Sequence, residues 1–306
     1  MDNQLDSINK IIKENQQILP NLLLVGAAKS GTTLLANCLG QHPEIYMSPV
    51  KEPHYFIPNL AVDSFEEYIS LFKNKNSESA KIRAEASAGY IYSEDAAFAI
   101  KETFPDTKIM MILRNPIDMA FSLWAFKRRR GDETDSFETA VATQDQRLSP
   151  EFLATHKGWP YGYLYVERAK YYHQVKRYID LFGRDQVKVI IFEEFLQDTT
   201  KSFNEIFNFL EISPDFQPTV RRVNAGGSMR FKPIEQLIQK DFPVIKNIFP
   251  LVWRDKIRTF LRDFNVKTEE KPAISAQMRQ KLTDMLYEDV KSLESLLDKK
   301  LWNSLM

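Results

Sequence analysis

Lys29, Ser30, Thr32 and Thr33 crowd into one short stretch bracketed by glycines, Gly26-Ala-Ala-Lys29-Ser30-Gly31-Thr32-Thr33. An ammonium, several hydroxyls and a backbone able to come close to a bound group make a cradle for a phosphate-like anion. A nucleoside triphosphate loop reads G-x-x-x-x-G-K-[ST]. Gly26 and Gly31 have that spacing and Thr33 holds the last hydroxyl, but Thr32 stands at the lysine position and the lysine sits earlier, at Lys29. In ATP and GTP sites the lysine after the second glycine reaches the terminal phosphates, and the hydroxyl beside it holds magnesium. Moving the cation keeps the cradle and points to a different anion, one bound without a metal. The plain alternative is a strand–turn–helix corner with a surface lysine.

Two more groups of residues could do chemistry. In Arg114-Asn-Pro-Ile-Asp-Met-Ala-Phe-Ser122 an arginine closes an apolar run and a serine follows about two helical turns later. Both can converge on one anion, and the planar guanidinium suits paired phosphate oxygens. In Lys51-Glu52-Pro53-His54-Tyr55-Phe56 charges alternate with aromatics. Burial there would raise a carboxylate pKa and fit Glu52 for general-base work, while His54 needs no large shift for the same role. A solvated Lys-Glu pair beside a packed Tyr-Phe explains this segment equally well. Glu85 reads either as a second acid in the cleft or as the partner of a nearby arginine.

The elements that must position these groups are legible. Leu22–Val25 and, past its lysine, Lys108–Leu113 are unbroken apolar runs that suit strands buried on both faces of a parallel sheet, and Val187–Phe192 reads as a further apolar strand. Thr32 onward has helical spacing, so the first loop feeds a helix N-terminus, where backbone N–H groups and the helix dipole favour an anion. Pro116 is well placed to open the helix through Lys127 that carries Ser122. Helices are also expected over 63–73, 94–104, 168–182 and 202–210, with Gly183 as a stop. Residues 73–81 read as a polar loop, 133–156 as an insertion or lid, and Gly158–Tyr163 as an aromatic loop bordering an acceptor pocket or as a packing corner. The Lys127–Arg130 run reads first as a solvated helix end and second as a contact for an acidic acceptor.

With these motifs in hand, Gly26–Thr33 resembles the 5′-phosphosulfate loop of the sulfotransferases that use 3′-phosphoadenosine 5′-phosphosulfate (PAPS). Arg114 to Ser122 resembles their 3′-phosphate motif, Arg-Asp-Pro-x-x-Arg-Ala-x-Ser, with departures at Asn115 and Met119. The resemblance runs in order from Asn21 to about Leu210. It implies a P-loop-like three-layer α/β fold with a mostly parallel central sheet and extra C-terminal helices. It further implies that Lys29, Ser30, Gly31, Thr32 and Thr33 hold the phosphosulfate, that Arg114 and Ser122 hold the 3′-phosphate, and that Lys29 also assists the departing phosphate. Glu52 matches the glutamate that serves as base in the carbohydrate branch, and His54 the histidine of cytosolic members. The segment around Glu85 matches Gly-Glu-[Lys/Ala]-[Ser/Thr]-Pro-x-Tyr, with Ala86 where some carbohydrate members have a substrate-facing lysine and Ala88 in place of proline. Phe192-Glu193 matches a structural Tyr/Phe-Glu. In Arg221-Arg222-Val-Asn224-Ala-Gly226-Gly227-Ser228-Met-Arg230, Asn224 and Arg230 are candidates for a loop that closes over the nucleotide.

Composition limits the partners. Lysine plus arginine equals aspartate plus glutamate at 41 each among 306 residues, so no global field recruits nucleic acid or an anionic membrane. Any anion site must be local. Cys38 is the single cysteine, which rules out an intrachain disulfide and suits a reducing compartment. Residues 1–20 form an expected helical extension whose uses are packing or a homodimer contact. Residues 21–306 form one expected domain, with a core to about 210 and a helical part beyond. A soluble, cytoplasmic chain without stable membrane insertion is expected, unlike the anchored Golgi members of the family. The acceptor could be a small molecule, a lipid or a glycan. Two rival classes stay open: a P-loop kinase using ATP–Mg, with Glu193 or Glu194 as the metal carboxylate, and a non-catalytic adenine-nucleotide-binding module.

Overall fold

Apolar runs without alternation make strands with no solvent face, as at Leu22–Gly26 and Lys108–Leu113, and three further strands complete the sheet around them. The computed structural model describes residues 2–58, 60, 62, 64–155, 159–221, 228–229, 266–267 and 273–303. Strands β1 (Leu22–Gly26), β2 (Ile45–Met47), β3 (Ile82–Ala86), β4 (Lys108–Leu113) and β5 (Val187–Ile191) form one sheet in the order β2-β3-β1-β4-β5. Every pairing is parallel. Leu24 pairs with Ala86 on one side and Met110 on the other, so β1 lies at the centre and its carboxyl end opens between β3 and β4. That edge, where the strand order reverses, is where ligands bind in open α/β sheets.

The described residues fall into two compact units. The first comprises Met1–Arg114 and Gln174–Arg222 and contains the whole sheet. Its helices are α1 (Asp2–Glu14), α2 (Thr32–Leu39), α3 (Phe65–Ser70), α4 (Lys75–Ser79) and α5 (Glu94–Thr103), with α10 (Phe192–Gln197) and α11 (Thr199–Leu210) following β5. Leu34, Leu35 and Leu39 of α2 pack with Phe203, Ile206 and Phe207 of α11 against one face of the sheet. On the other face an aromatic cluster gathers Tyr55, Phe56, Phe65, Tyr68, Tyr90 and Phe104. The expected polar loop over 73–81 contains α4 instead. Asn74 makes the difference, because its side chain accepts from Ser77 N–H at 3.1 Å and donates to the Tyr46 hydroxyl at 2.7 Å.

The second unit comprises Asn115–His173 and Val223–Met306. Helix α6 (Pro116–Arg130) and the C-terminal helix α12 (Ala276–Leu297) are joined by an ion pair between Arg279 and Asp118 at 2.7 Å. The stretch read as an insertion holds α7 (Phe137–Ala142) and α8 (Pro150–Thr155). It is fixed by a buried network in which Glu133 accepts from Arg147 at 2.6 Å and from the Tyr165 hydroxyl at 2.8 Å. Helix α9 (Tyr171–Phe182) begins three residues later than expected and crosses the boundary of the two units. Among the described residues no helix is long and apolar enough to cross a membrane.

Candidate active site

The first loop leaves β1 at Gly26 and turns into α2 at Thr32. Its start is tied to the sheet, with Ala27 N–H donating to Ile112 O at 2.8 Å. Gly31 has φ +99°, and a Cβ there would lie 2.7 Å from the Phe192 ring, so only glycine fits the turn. No side chain caps α2, which leaves the backbone N–H groups of its first turn facing the loop. Ser30 is fully buried and Thr32 nearly so. Lys29 itself takes a left-handed backbone, φ 60°.

Arg114 follows β4, the strand next to β1, and its guanidinium stands 5.6 Å from the centroid of Phe192. The ring of Phe192 therefore touches the space left by Gly31 and also supports Arg114. Sequence reading gave Phe192 only a structural place; its role as the spacer between loop and guanidinium depends on a turn at the end of β5 that no local signal shows.

Ser122, in the second unit, is half-buried on α6. The two departures from the commonest motif have local explanations. Asn115 caps α6, accepting from Ile117 N–H at 3.1 Å and Asp118 N–H at 3.3 Å, a task asparagine does as well as aspartate. Met119 is buried among apolar residues.

The segment carrying Glu52 and His54 continues β2 along the end of β3. Ser48 N–H donates to Ala84 O at 2.7 Å, Glu52 N–H to Ala86 O at 2.9 Å, and His54 N–H to the Ser87 hydroxyl at 3.0 Å. Glu52 and His54 both have positive φ, 58° and 51°. The Glu52 carboxylate lies 3.1 Å from Lys51 Nζ and 3.7 Å from His54 Nε2. Its side chain is 37% exposed, so the solvated Lys-Glu pair of the plainer reading is present.

The deeply buried carboxylate of this region is Glu85. It is fully enclosed, and its partners are hydroxyls rather than the expected arginine: Ser87 donates at 2.8 Å and Tyr68 at 3.4 Å. Burial pushes its pKa up to about 7, the hydroxyls partly opposing this and the nearby Glu52 adding to it. Arg83 turns away, donating to Leu19 O and Ala80 O.

Other expected residues fall elsewhere. Lys127 is not a solvated helix end. Its ammonium sits 4.1 Å over the Tyr163 ring, and burial lowers its pKa to about 8. Trp159 of the aromatic loop lies under the Arg168 guanidinium, 4.7 Å from its ring centroid. Glu193 and Glu194 are exposed in the first turn of α10. Among the described residues no cluster of His, Cys, Asp and Glu could hold a metal ion. Asn224 and Arg230 lie outside the described residues.

A central strand, a glycine-bracketed loop and a helix N-terminus on a parallel sheet define a P-loop-like α/β protein. The model of the sulfotransferase domain family matches residues 19–291, and the chain belongs to that family. It is similar to a sulfotransferase from Alicyclobacillus acidocaldarius of known crystal structure, at 29% identity and a TM-score of 0.69, over 92% of this chain and 97% of that one. It is also similar to the mouse bifunctional heparan sulfate N-deacetylase/N-sulfotransferase 4, 26% identical over 212 residues, which span 65% of this chain and 23% of the relative. The membrane-associated sulfotransferase kil1 of Dictyostelium discoideum is 33% identical over 114 residues, 35% of this chain and 23% of the relative. The chain thus spans under a quarter of the length of these two curated relatives.

Proposed function

We propose that the protein transfers the sulfonate group of PAPS to a hydroxyl or amine of a small-molecule, lipid or glycan acceptor. The loop from Lys29 to Thr33, with the N–H groups of α2, receives the 5′-phosphosulfate, and Lys29 neutralises charge gathering on the departing phosphate. Arg114 and Ser122, matched by their motif, take the 3′-phosphate that separates PAPS from ATP. Glu52, or else His54, removes the proton from the acceptor as its oxygen or nitrogen attacks sulfur in line, and 3′-phosphoadenosine 5′-phosphate leaves. PAPS supplies the activated sulfonate; no metal is required.

One observation carries the catalytic assignment. Lys29, Glu52 and His54 all hold left-handed backbones. A non-glycine residue in that region costs on the order of 1–3 kcal/mol, and such strain gathers where function requires it. Glu211 and Asp298 share the feature as caps at helix ends, and Trp302 shares it beyond the last helix.

The names of the heparan sulfate relatives make an amino sugar one acceptor to test, while Ala86 in place of a lysine argues against a strongly anionic one. The test is incubation with 35S-labelled PAPS and, separately, p-nitrophenol, glucosamine oligosaccharides and host extract. Label should move to an acceptor, and the movement should be lost with Glu52→Gln or His54→Gln. Transfer that needs ATP and magnesium in place of PAPS would refute the proposal.

A further inference from the structure

Glu85 lies outside the reacting groups named above, yet it is the most enclosed carboxylate beside them. Register explains its position: Ala84 and Ala86 of β3 face the cluster formed with α2 and α11, so Glu85, paired with Leu23, faces the aromatic side. Hydroxyls come to it from two directions, Tyr68 on α3 and Ser87 just past β3. The Ser87 oxygen, while its proton is given to Glu85, accepts the N–H of His54. A continuous line of hydrogen bonds therefore runs from a buried carboxylate to the backbone of the strained turn. That turn needs such support, since two of its residues hold conformations that side chains disfavour.

We propose that Glu85 is a positioning residue for sulfonate transfer: through the Ser87 hydroxyl it sets the direction of the His54 peptide N–H, and so the turn that presents Glu52 and His54. The ionised carboxylate only accepts, so both Ser87 and Tyr68 donate to it and a lone pair of Ser87 stays available to His54. When Glu85 takes up a proton, that proton needs an acceptor. The near one, the Ser87 oxygen, can accept it beside the His54 N–H, but Ser87 then no longer donates to a carboxylate, and the weaker, uncharged bonding loosens the hold on the turn. The titratable groups around Glu85 are Glu52 on the turn, Tyr68 on α3, Tyr90 past β3 and Tyr178 on α9. The three tyrosines are all raised above the ordinary phenol value, chiefly by burial. The remaining titratable groups of the cluster are Glu52 and the His54 ring, 3.7 Å apart on the turn itself, and Glu85 is the most enclosed of the three. The carboxylate titrates around neutrality, so the positioning strengthens as pH rises through about 7.

The inference rests on the reading of Glu52 or His54 as the base, but it can be tested without turnover. The chain has four histidines, so the full-length protein labelled with 15N-histidine gives few amide signals, and His54→Gln identifies the one that matters. In the wild type that signal should shift in a step near pH 7. In Glu85→Gln, where the carboxyl can no longer ionise but hydrogen bonding is kept, the step should shrink to what the His54 ring itself contributes, followed separately by its 15N ring signals, while the other histidine amides behave as in the wild type. Ser87→Ala should speed hydrogen exchange at the His54 amide by about tenfold or more, the loss of one buried hydrogen bond. With a working acceptor, Glu85→Gln should also remove an inflection near neutrality from the rate profile and leave affinity for 3′-phosphoadenosine 5′-phosphate within about twofold. A step of unchanged size in Glu85→Gln would overturn the proposal, as would unchanged exchange in Ser87→Ala. If Ser87→Ala does not fold, the Glu85→Gln titration decides alone. Full transfer by both Glu52→Gln and His54→Gln would remove the base assignment yet leave the amide result standing.

Discussion

Gly31 and Phe192 show how little freedom the loop has at the level of single residues. A Cβ at Gly31 meets the Phe192 ring at 2.7 Å with φ at +99°, so Gly31→Ala must move either the loop or the ring that supports Arg114. Nucleotide affinity should fall by about 100-fold, a cost of ~3 kcal/mol, in equilibrium binding of 3′-phosphoadenosine 5′-phosphate. Arg114→Ala should weaken the same binding by a factor on the order of 10–100, whereas Glu52→Gln should leave it nearly intact and abolish transfer. Glu85 makes a separate prediction about stability. Its folded pKa is raised from 4.5 to about 7, so its contribution is fully present below the unfolded value and is lost as pH rises through the folded one. Above neutrality the ionised, buried carboxylate costs ~3 kcal/mol, and Glu85→Gln should be the more stable protein there but not at pH 4. Thermal melts of both proteins across that window check the sign. The sequence left Glu85 as either a second acid in the cleft or an arginine's partner; its full enclosure was not legible there, because that comes from Tyr68 and Tyr90 on other elements.

Elements, in contrast, were largely written in their own residues. Apolar runs located β1, β4 and β5, and Pro116 marked the start of α6, because buried parallel strands and helix starts are set by local composition. Short helices were harder. The helix expected over 63–73 is shorter, Phe65–Ser70, and α4 was read as loop, since five residues held by one cap carry no periodic signal. Phe192 was counted in β5 yet opens α10. Asn115 shows that a departure from a motif need not change the element. Asn115→Ala should destabilise the protein by about 1 kcal/mol, while Asn115→Asp should be close to neutral, both read from denaturant midpoints.

At the scale of the molecule, the motif spacing made the P-loop-like α/β class legible, and the sheet order with the family match bears it out. What sequence could not supply was the pairing of distant polar groups. The stretch over 133–156 looked like a loose insertion because its charges are spread along the chain, yet Glu133, Arg147 and Tyr165 close on one another in a buried network. Burial alone would raise the Glu133 carboxyl, but the hydrogen bonds from Arg147 and its neighbours hold it below its ordinary value. That stabilisation is present above the unfolded pKa and is lost as pH falls through the depressed folded one. Breaking the pair with Arg147→Met leaves a buried charge, and should cost about 3–5 kcal/mol at neutral pH and less in acid. Global unfolding in denaturant at both pH values measures it.

The central claim is that the cradle with its early lysine serves an adenine nucleotide bearing a 3′-phosphate. Calorimetric titration of the purified protein with 3′-phosphoadenosine 5′-phosphate, and in parallel with ATP and magnesium, tests it most directly. Binding of the first should be tighter by at least about tenfold, and Arg114→Ala should erase the difference. Tighter binding of ATP–Mg would contradict it.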